Sequence, residues 1–410
     1  MRAILFGLGL TLTTTSALTN TTDQATQPLG TSPVRIDSVR RGERTIEPTL
    51  LQIPTTEVTC DGATIGPAYA DDLRIESTRH YSNDGSVLQK PEVVLNFAVD
   101  ETGRTRDIRP ASMADPIDEI IIPARIPSDQ EQAALAAWRF AGGPRSNCRL
   151  TIRYIAKPVA EASRNDLLRY FAVTRTRGPL RDAVAARLAG PDANCGGDRR
   201  GGRSPRTVSH PDDRIGQRPP PGGRSWTVLR WDVDAEGRAV DVETLGSSGD
   251  AAFDAETRRA VSNTIVQGGV PLKGCVFNFH RGGDRLPAPE LPEREDDPLQ
   301  NCPAEVRSRF QARGAPDSFP VAFRERGIEG WALVRFDLAT WGQVGNVQII
   351  DAQPAAAFGD SGRRTVQSGR AEPSNTFGVR CVMPVRYVLP TNPVSGEPVR
   401  GDRSDDNAAD

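Results

Sequence analysis

Three stretches of this chain alternate apolar and polar residues around a central aromatic, between segments that read as loops and arginines. They are "VVLNFAVDETGRTRDI" from Val93, "TVLRWDVDAEGRAVDV" from Thr227 and "ALVRFDLATWGQVGNV" from Ala332. Period two puts Leu95, Phe97 and Val99 on one face of a strand, and does the same for Leu229-Trp231-Val233 and Val334-Phe336-Leu338. Gly103, Gly237 and Gly342 each follow the aromatic by six residues. A glycine there admits the positive φ of a hairpin turn. A second alternating run follows each turn, with Ile108, Val242 and Val347 as its next inward positions. The pattern predicts three β-hairpins.

A helical piece follows each hairpin. "DQEQAALAAWRF" (129–140) places Ala134, Ala137 and Trp138 on one face behind a Ser128 cap. "AAFDAETRRAVSNTIV" (251–266) has Phe253, Ala260, Val261 and Ile265 in rough helical register. "FGDSGRRTVQ" (358–367) is the poorest, because two glycines interrupt it. Ahead of the third hairpin, "PAEVRSRFQARG" and "FPVAFRERG" read as short helices closed by glycine. Residues 161–190 read as one or two further helices. Each unit is thus helix–strand–strand–helix–strand, a small α+β sandwich.

Composition narrows the setting. Of 410 residues 37% are hydrophobic, with 38 Gly and 33 Pro, which suits several small domains better than one large core. A net charge of −2 gives no overall field toward nucleic acid or acidic lipid. The N-terminal "MRAILFGLGLTLTTTSALTN" has a short apolar run followed by Thr15 and Ala17 at the −3 and −1 positions of a cleavage site. That reads as a secretory signal peptide over 1–17, and the mature protein is expected in the periplasm. The alternative is an uncleaved N-terminus that anchors the chain in the inner membrane, facing the periplasm.

Export gives the six cysteines a meaning, since an oxidising compartment favours disulfides. One cysteine precedes each hairpin by 34–37 residues from the aromatic, and one opens a strand-like run 44–51 residues after it. The repeat register selects Cys60–Cys148, Cys195–Cys275 and Cys302–Cys381. The chain then divides into a linker (18–59), a first module (60–158), a helical connector (159–194) and a second module (195–280) holding a flexible basic loop (196–224). A linker (281–301), a third module (302–390) and a disordered polar tail (391–410) complete it.

The third module resembles the C-terminal domain of TonB, the periplasmic energy transducer of Gram-negative bacteria. The residues are "FPVAFRERGIEGWALVRFDLATWGQVGNVQIIDAQPAAAF", where Phe319-Pro320, Gly327, Glu329-Gly330, Phe336-Asp337, Gly342, Asn346-Val347, Pro354 and Phe358 match the family pattern in order. "AALAAWRF" in the first module and "LGSSGDAAFDAETRRAV" in the second are similar to other parts of it. The resemblance implies three tandem TonB-C-terminal-like modules, two of them diverged. It also implies a final strand that pairs with an extended peptide, the TonB box, of an outer-membrane receptor. That strand is Cys381–Leu389. Val382, Pro384, Arg386 and Val388 alternate in it with Met383, Val385, Tyr387 and Leu389, and either set could face the core. Pro384 removes one backbone donor.

Catalytic signals are weak. His80, His210 and His280 lie in separate stretches, and His210 in "SHPDD" reads as a solvated loop histidine. "LGSSGD" matches neither a nucleophile elbow nor a phosphate loop. No metal, cofactor or nucleic-acid site is expected. Trp226 and Trp331 stand out of phase with the core triads, which leaves open whether they are exposed contacts. The expectation is a non-enzymatic protein that binds an extended segment of an outer-membrane or envelope protein by strand addition. The alternatives are a membrane-anchored energy transducer and a structural envelope protein that binds no peptide.

Overall fold

The computed structural model describes residues 50–77, 90–111, 129–174, 178–195, 208–266, 271–292, 301–302, 310, 318–375 and 378–390, with the paired backbone of 34–35 and 86–87. The signal-peptide stretch, Ser128, His80, the tail and "PAEVRSRFQARG" apart from Phe310 lie outside them. Its principal elements are β1 (Leu50–Cys60), β2 (Val93–Val99), β3 (Thr105–Pro110), α1 (Asp129–Ala137), β4 (Arg145–Pro158), α2 (Arg164–Val173) and α3 (Pro179–Ala189). They continue with β5 (Arg224–Val233), β6 (Ala239–Ser247), α4 (Ala251–Ser262), β7 (Leu272–Gly282), α5 (Val321–Arg326), β8 (Gly330–Leu338), β9 (Val344–Gln353), α6 (Ala356–Gln367) and β10 (Val379–Tyr387). The fold is mixed α and β, with small antiparallel sheets packed against helices.

The three hairpins share a backbone. Each turn glycine has positive φ, 79° at Gly103 and 83° at both Gly237 and Gly342. A side chain at any of them would overlap the backbone oxygen of Phe140, Val266 or Ala371. Four residues on, Asp107, Asp241 and Asn346 take φ of 53°, 51° and 47°. Each hairpin's pairing register slips near this residue, between Asn96 and Ala98, Val240 and Glu243, and Arg335 and Asp337, and the second and third hairpins slip once more farther from the turn. A bulge accounts for both observations, since Asp and Asn tolerate the left-handed conformation. All nine residues of the three triads are buried, and the central aromatic stands opposite a cysteine in each sheet: Phe97↔Cys148, Trp231↔Cys275, Phe336↔Cys381. Disulfides join Cys60 to Cys148, Cys195 to Cys275 and Cys302 to Cys381.

The first turn offers a pH test. The Asp100 carboxylate accepts the backbone N–H groups of Thr102 and Arg104 and the Arg106 Nε–H. Burial pushes its pKa up, but hydrogen bonds from Thr102, Arg106 and Arg104 outweigh that and hold it at about 2. A depressed carboxylate pKa means stability that is present above the unfolded value near 4 and lost as pH falls toward 2. Asp100→Asn should therefore flatten stability against pH between about 4 and 2, as measured by urea melts. An unchanged slope would count against these bonds.

Several segments read as connectors are structured. Residues 50–59, placed in the linker by the sequence reading, form most of β1, which pairs with β4 over eleven residues without a register shift. Leu51 and Ile53 pack with α2, α3, Trp226 and Val228 in one core. In the expected flexible loop, residues 208–224 are described, and the buried Arg281 donates to the carbonyls of Asp213, Ile215 and Gln217. In the 281–301 linker, Leu286 forms a parallel bridge with Ile328. α6 runs through both of its glycines. Gly359 lies against Ile349 and Ala352, and Gly362 against Ala332 and Val334, so the missing side chains bring the helix onto the sheet.

Trp226 and Trp331 are both buried. β5 is covered on two faces, by α4 on one side and α2 on the other, so being out of phase with the triad does not mean exposure. The indole N–H of Trp226 donates to Asp72 and that of Trp331 to the Pro289 carbonyl.

The first and third units share one apolar core. Along their seam the Ile108 N–H donates to the Pro354 carbonyl, and Arg109 pairs with Asp351 at 2.8 Å. Asp71 ties all three units together. Its carboxylate accepts the Arg224 N–H at 2.8 Å and the Tyr69 hydroxyl at 3.2 Å, and it forms an ion pair with Arg326.

Candidate partner-binding edge

β10 pairs with β8 from Gly330↔Tyr387 to Leu338↔Val379 without a slip, and it ends the sheet, whose order is β9–β8–β10. Among the described residues no strand pairs with its outer side. The opposite edge, β9, runs beside β3 of the first unit.

Hydrogen bonds at the start of β10 identify which residues look outward. The Asn301 N–H donates to the Arg380 carbonyl at 3.1 Å, and the Arg380 N–H donates to Asn301 Oδ1 at 2.6 Å. Backbone polar groups alternate between the two sides of a strand. With Arg380 facing outward, Val382, Pro384, Arg386 and Val388 face outward too. At the far end the Leu389 N–H turns the other way, to Glu329 Oε1 at 2.9 Å. The N–H missing from Pro384 is therefore missing from the outer edge and costs the pairing with β8 nothing, which is where an edge strand tolerates proline.

Side chains divide as the alternation allows. Cys381, Met383, Val385 and Tyr387 turn toward the helices. Met383 and Val385 are half-buried, and Tyr387 packs on Phe319 and Phe358 at 5.6 and 5.4 Å between ring centres. Leu389 is half-buried beyond the strand. On the other face Val382 is buried, while Pro384, Arg386 and Val388 are exposed.

A cleft of about 710 Å³ lies beside the start of β10, lined by residues that include Asp337, Trp341, Asn346 and Arg380. Its polar groups satisfy one another: Asp337 accepts from Arg380 Nε at 2.8 Å and from Asn346 Nδ2 at 2.7 Å. Arg380 first and Asn346 second hold the Asp337 carboxyl below its usual range. Among the described residues no group of three His, Cys, Asp or Glu side chains could hold a metal ion. His210 and His280 are exposed, and His210 sits 6.2 Å from the Phe279 ring centre. No described helix is long and apolar enough to cross a membrane.

The sequence reading missed a feature that bears on this edge. β4 is the first unit's counterpart of β10, and its outer edge is filled by β1. The available signal was Leu50, Leu51, Ile53 and Val58, an apolar run interrupted by Pro54. Pro54 stands opposite Tyr154, and the Val58 carbonyl turns away from β4 to accept from Ile65. Pro54 shares that parity, so it too withholds no donor from β4.

The family comparison matches the third unit. Residues 315–389 match the family model described as the Gram-negative bacterial TonB protein C-terminal. A solution NMR structure of the Pseudomonas aeruginosa TonB CTD matches with 21% identity, covering 21% of this chain and 91% of that one, at a TM-score of 0.18. No curated protein matches the chain. Residues 315–389, with the helix–hairpin–helix–strand that carries the β10 edge, form a TonB C-terminal-like domain.

Proposed function

We propose that this is an exported, non-enzymatic envelope protein whose third module captures an extended segment of an outer-membrane or envelope protein by adding it as a strand to β10. The first two units are read as diverged copies of the same module. An exposed edge is a template for a further strand, with main-chain hydrogen bonds supplying the affinity. One observation carries the proposal: the same edge of the first unit already holds an added strand, β1, from elsewhere in the chain. The TonB family match supports a receptor segment of the TonB-box kind as the partner.

Amide hydrogen exchange on the full chain, with and without a TonB-box-like receptor peptide, tests this. The expected result is new protection confined to 384–389, with β4 unchanged. No protection at millimolar peptide would leave the third module a structural role.

A further inference from the structure

The strand that fills the first unit's edge carries information about what the third unit's open edge would accept. The two closing strands superimpose by register. Phe97↔Cys148 corresponds to Phe336↔Cys381, and Val93↔Ile152 to Ala332↔Val385. Counting along the strands, Thr151 corresponds to Pro384, Arg153 to Arg386 and Ile155 to Val388. The last pair agree in character as well as position, since both are exposed aliphatics, at 45% and 60%.

Arg153 shows what its position does. Its guanidinium pairs with Glu57 of the added strand at 3.1 Å and with Glu92, just before β2, at 2.8 Å. The hydrogen bond that Arg153 donates to Glu57, and the charge of Glu92, push the Arg153 pKa up. Glu57 stands opposite Thr151, one step diagonal from Arg153, and Ile53 stands opposite Ile155. Diagonal cross-strand neighbours are within reach of long charged side chains.

The third unit keeps the arginine, and among the described residues no acid stands beside it. The position of Glu92 is held by Trp331, which stands opposite Arg386. Arg386 is exposed on the outward-facing set, and among the described residues it has no ion-pair partner. An exposed guanidinium on the edge strand, at the position where its counterpart binds a carboxylate, is placed to read an acid on an incoming strand.

We infer that Arg386 selects an extended segment bearing an acidic residue, as Arg153 is matched by Glu57. Lying as β1 lies on β4, the segment runs antiparallel to β10, with its acid opposite Pro384 and an aliphatic residue opposite Val388. The β1 spacing, Ile53-Pro54-Thr55-Thr56-Glu57, is the template. This inference rests on the strand-addition reading and adds a charge requirement to it.

The probe is the labelled peptide LLQIPTTEVT, residues 50–59 of this chain, beside a version with Glu57→Gln. Each is titrated by fluorescence anisotropy into the full chain and into its Arg386→Gln variant at low salt, with amide exchange locating the bound peptide. Exposed ion pairs of this kind are modest, so the Gln peptide should bind the wild-type chain about two- to five-fold more weakly. The preference should vanish in Arg386→Gln and shrink as salt rises. Equal affinity of both peptides for the wild-type chain would overturn the charge requirement and leave strand addition standing. Binding of the receptor peptide but of neither β1 peptide would overturn the template in the same way. No peptide binding at all would remove the strand-addition reading itself.

Discussion

Asp71→Ala should destabilise the chain by about 3–5 kcal/mol, because it strands a buried guanidinium. The side chains of Arg326 and Asp71 are 1% and 2% exposed. An ion pair so deep returns little net stability when intact, since both charges have lost their water. Removing one partner exposes the whole desolvation cost of the other. The loss also removes the bonds that the Arg224 N–H and the Tyr69 hydroxyl donate to the same carboxylate. Replacing Asp71 and Arg326 together by apolar residues should therefore cost much less than the sum of the single changes. Urea melts of the two single variants and the double variant measure this. Single changes costing under about 1 kcal/mol would show that water reaches the junction.

Phe336→Ala should cost about 3–5 kcal/mol, as is usual when a buried aromatic is truncated to leave a cavity. Phe336 is 1% exposed, packs on Phe310 with ring centres 4.9 Å apart, and stands opposite Cys381 of the disulfide. Trp341, five residues along the same hairpin, provides the control. It is larger but 67% exposed, with its indole N–H on Gln343, so Trp341→Ala should change stability by no more than about 0.5 kcal/mol. Comparable thermal shifts for the two variants would mean that the inward face of this strand has been assigned wrongly.

The contrast between Phe336 and Trp331 shows where the sequence stops being informative. Both lie in β8, and the period-two pattern separates them correctly onto opposite faces. The pattern cannot say that the second face is covered as well. That cover comes from Pro289, in a stretch whose composition reads as a loose linker. β10 poses the same problem in another form. Either of its two alternating sets could face the core by pattern alone, and the bonds between Asn301 and Arg380 fix which set of backbone groups looks outward.

What the sequence by itself determined are the features governed by neighbours along the chain. The inward triads follow from alternation, and the turn glycines from the need for positive φ. The helix read over 251–266 follows from its spacing as far as Ser262, where the folded helix ends, and leaves Ile265 exposed. The TonB-like pattern of 319–358 is also local, a run of turn, cap and core residues in fixed order. Only the tertiary structure decided the rest, because it depends on partners that no local pattern names. Asp71 meets Arg326 across 255 positions, and β1 finds β4 across roughly a hundred. A short apolar run broken by Pro54 is weak evidence for a strand until the edge it fills is known. Burial on a second face and the sharing of a core between distant units arise in the same way. Each is set by what the folded chain brings alongside a residue, and not by the residue's neighbours in sequence.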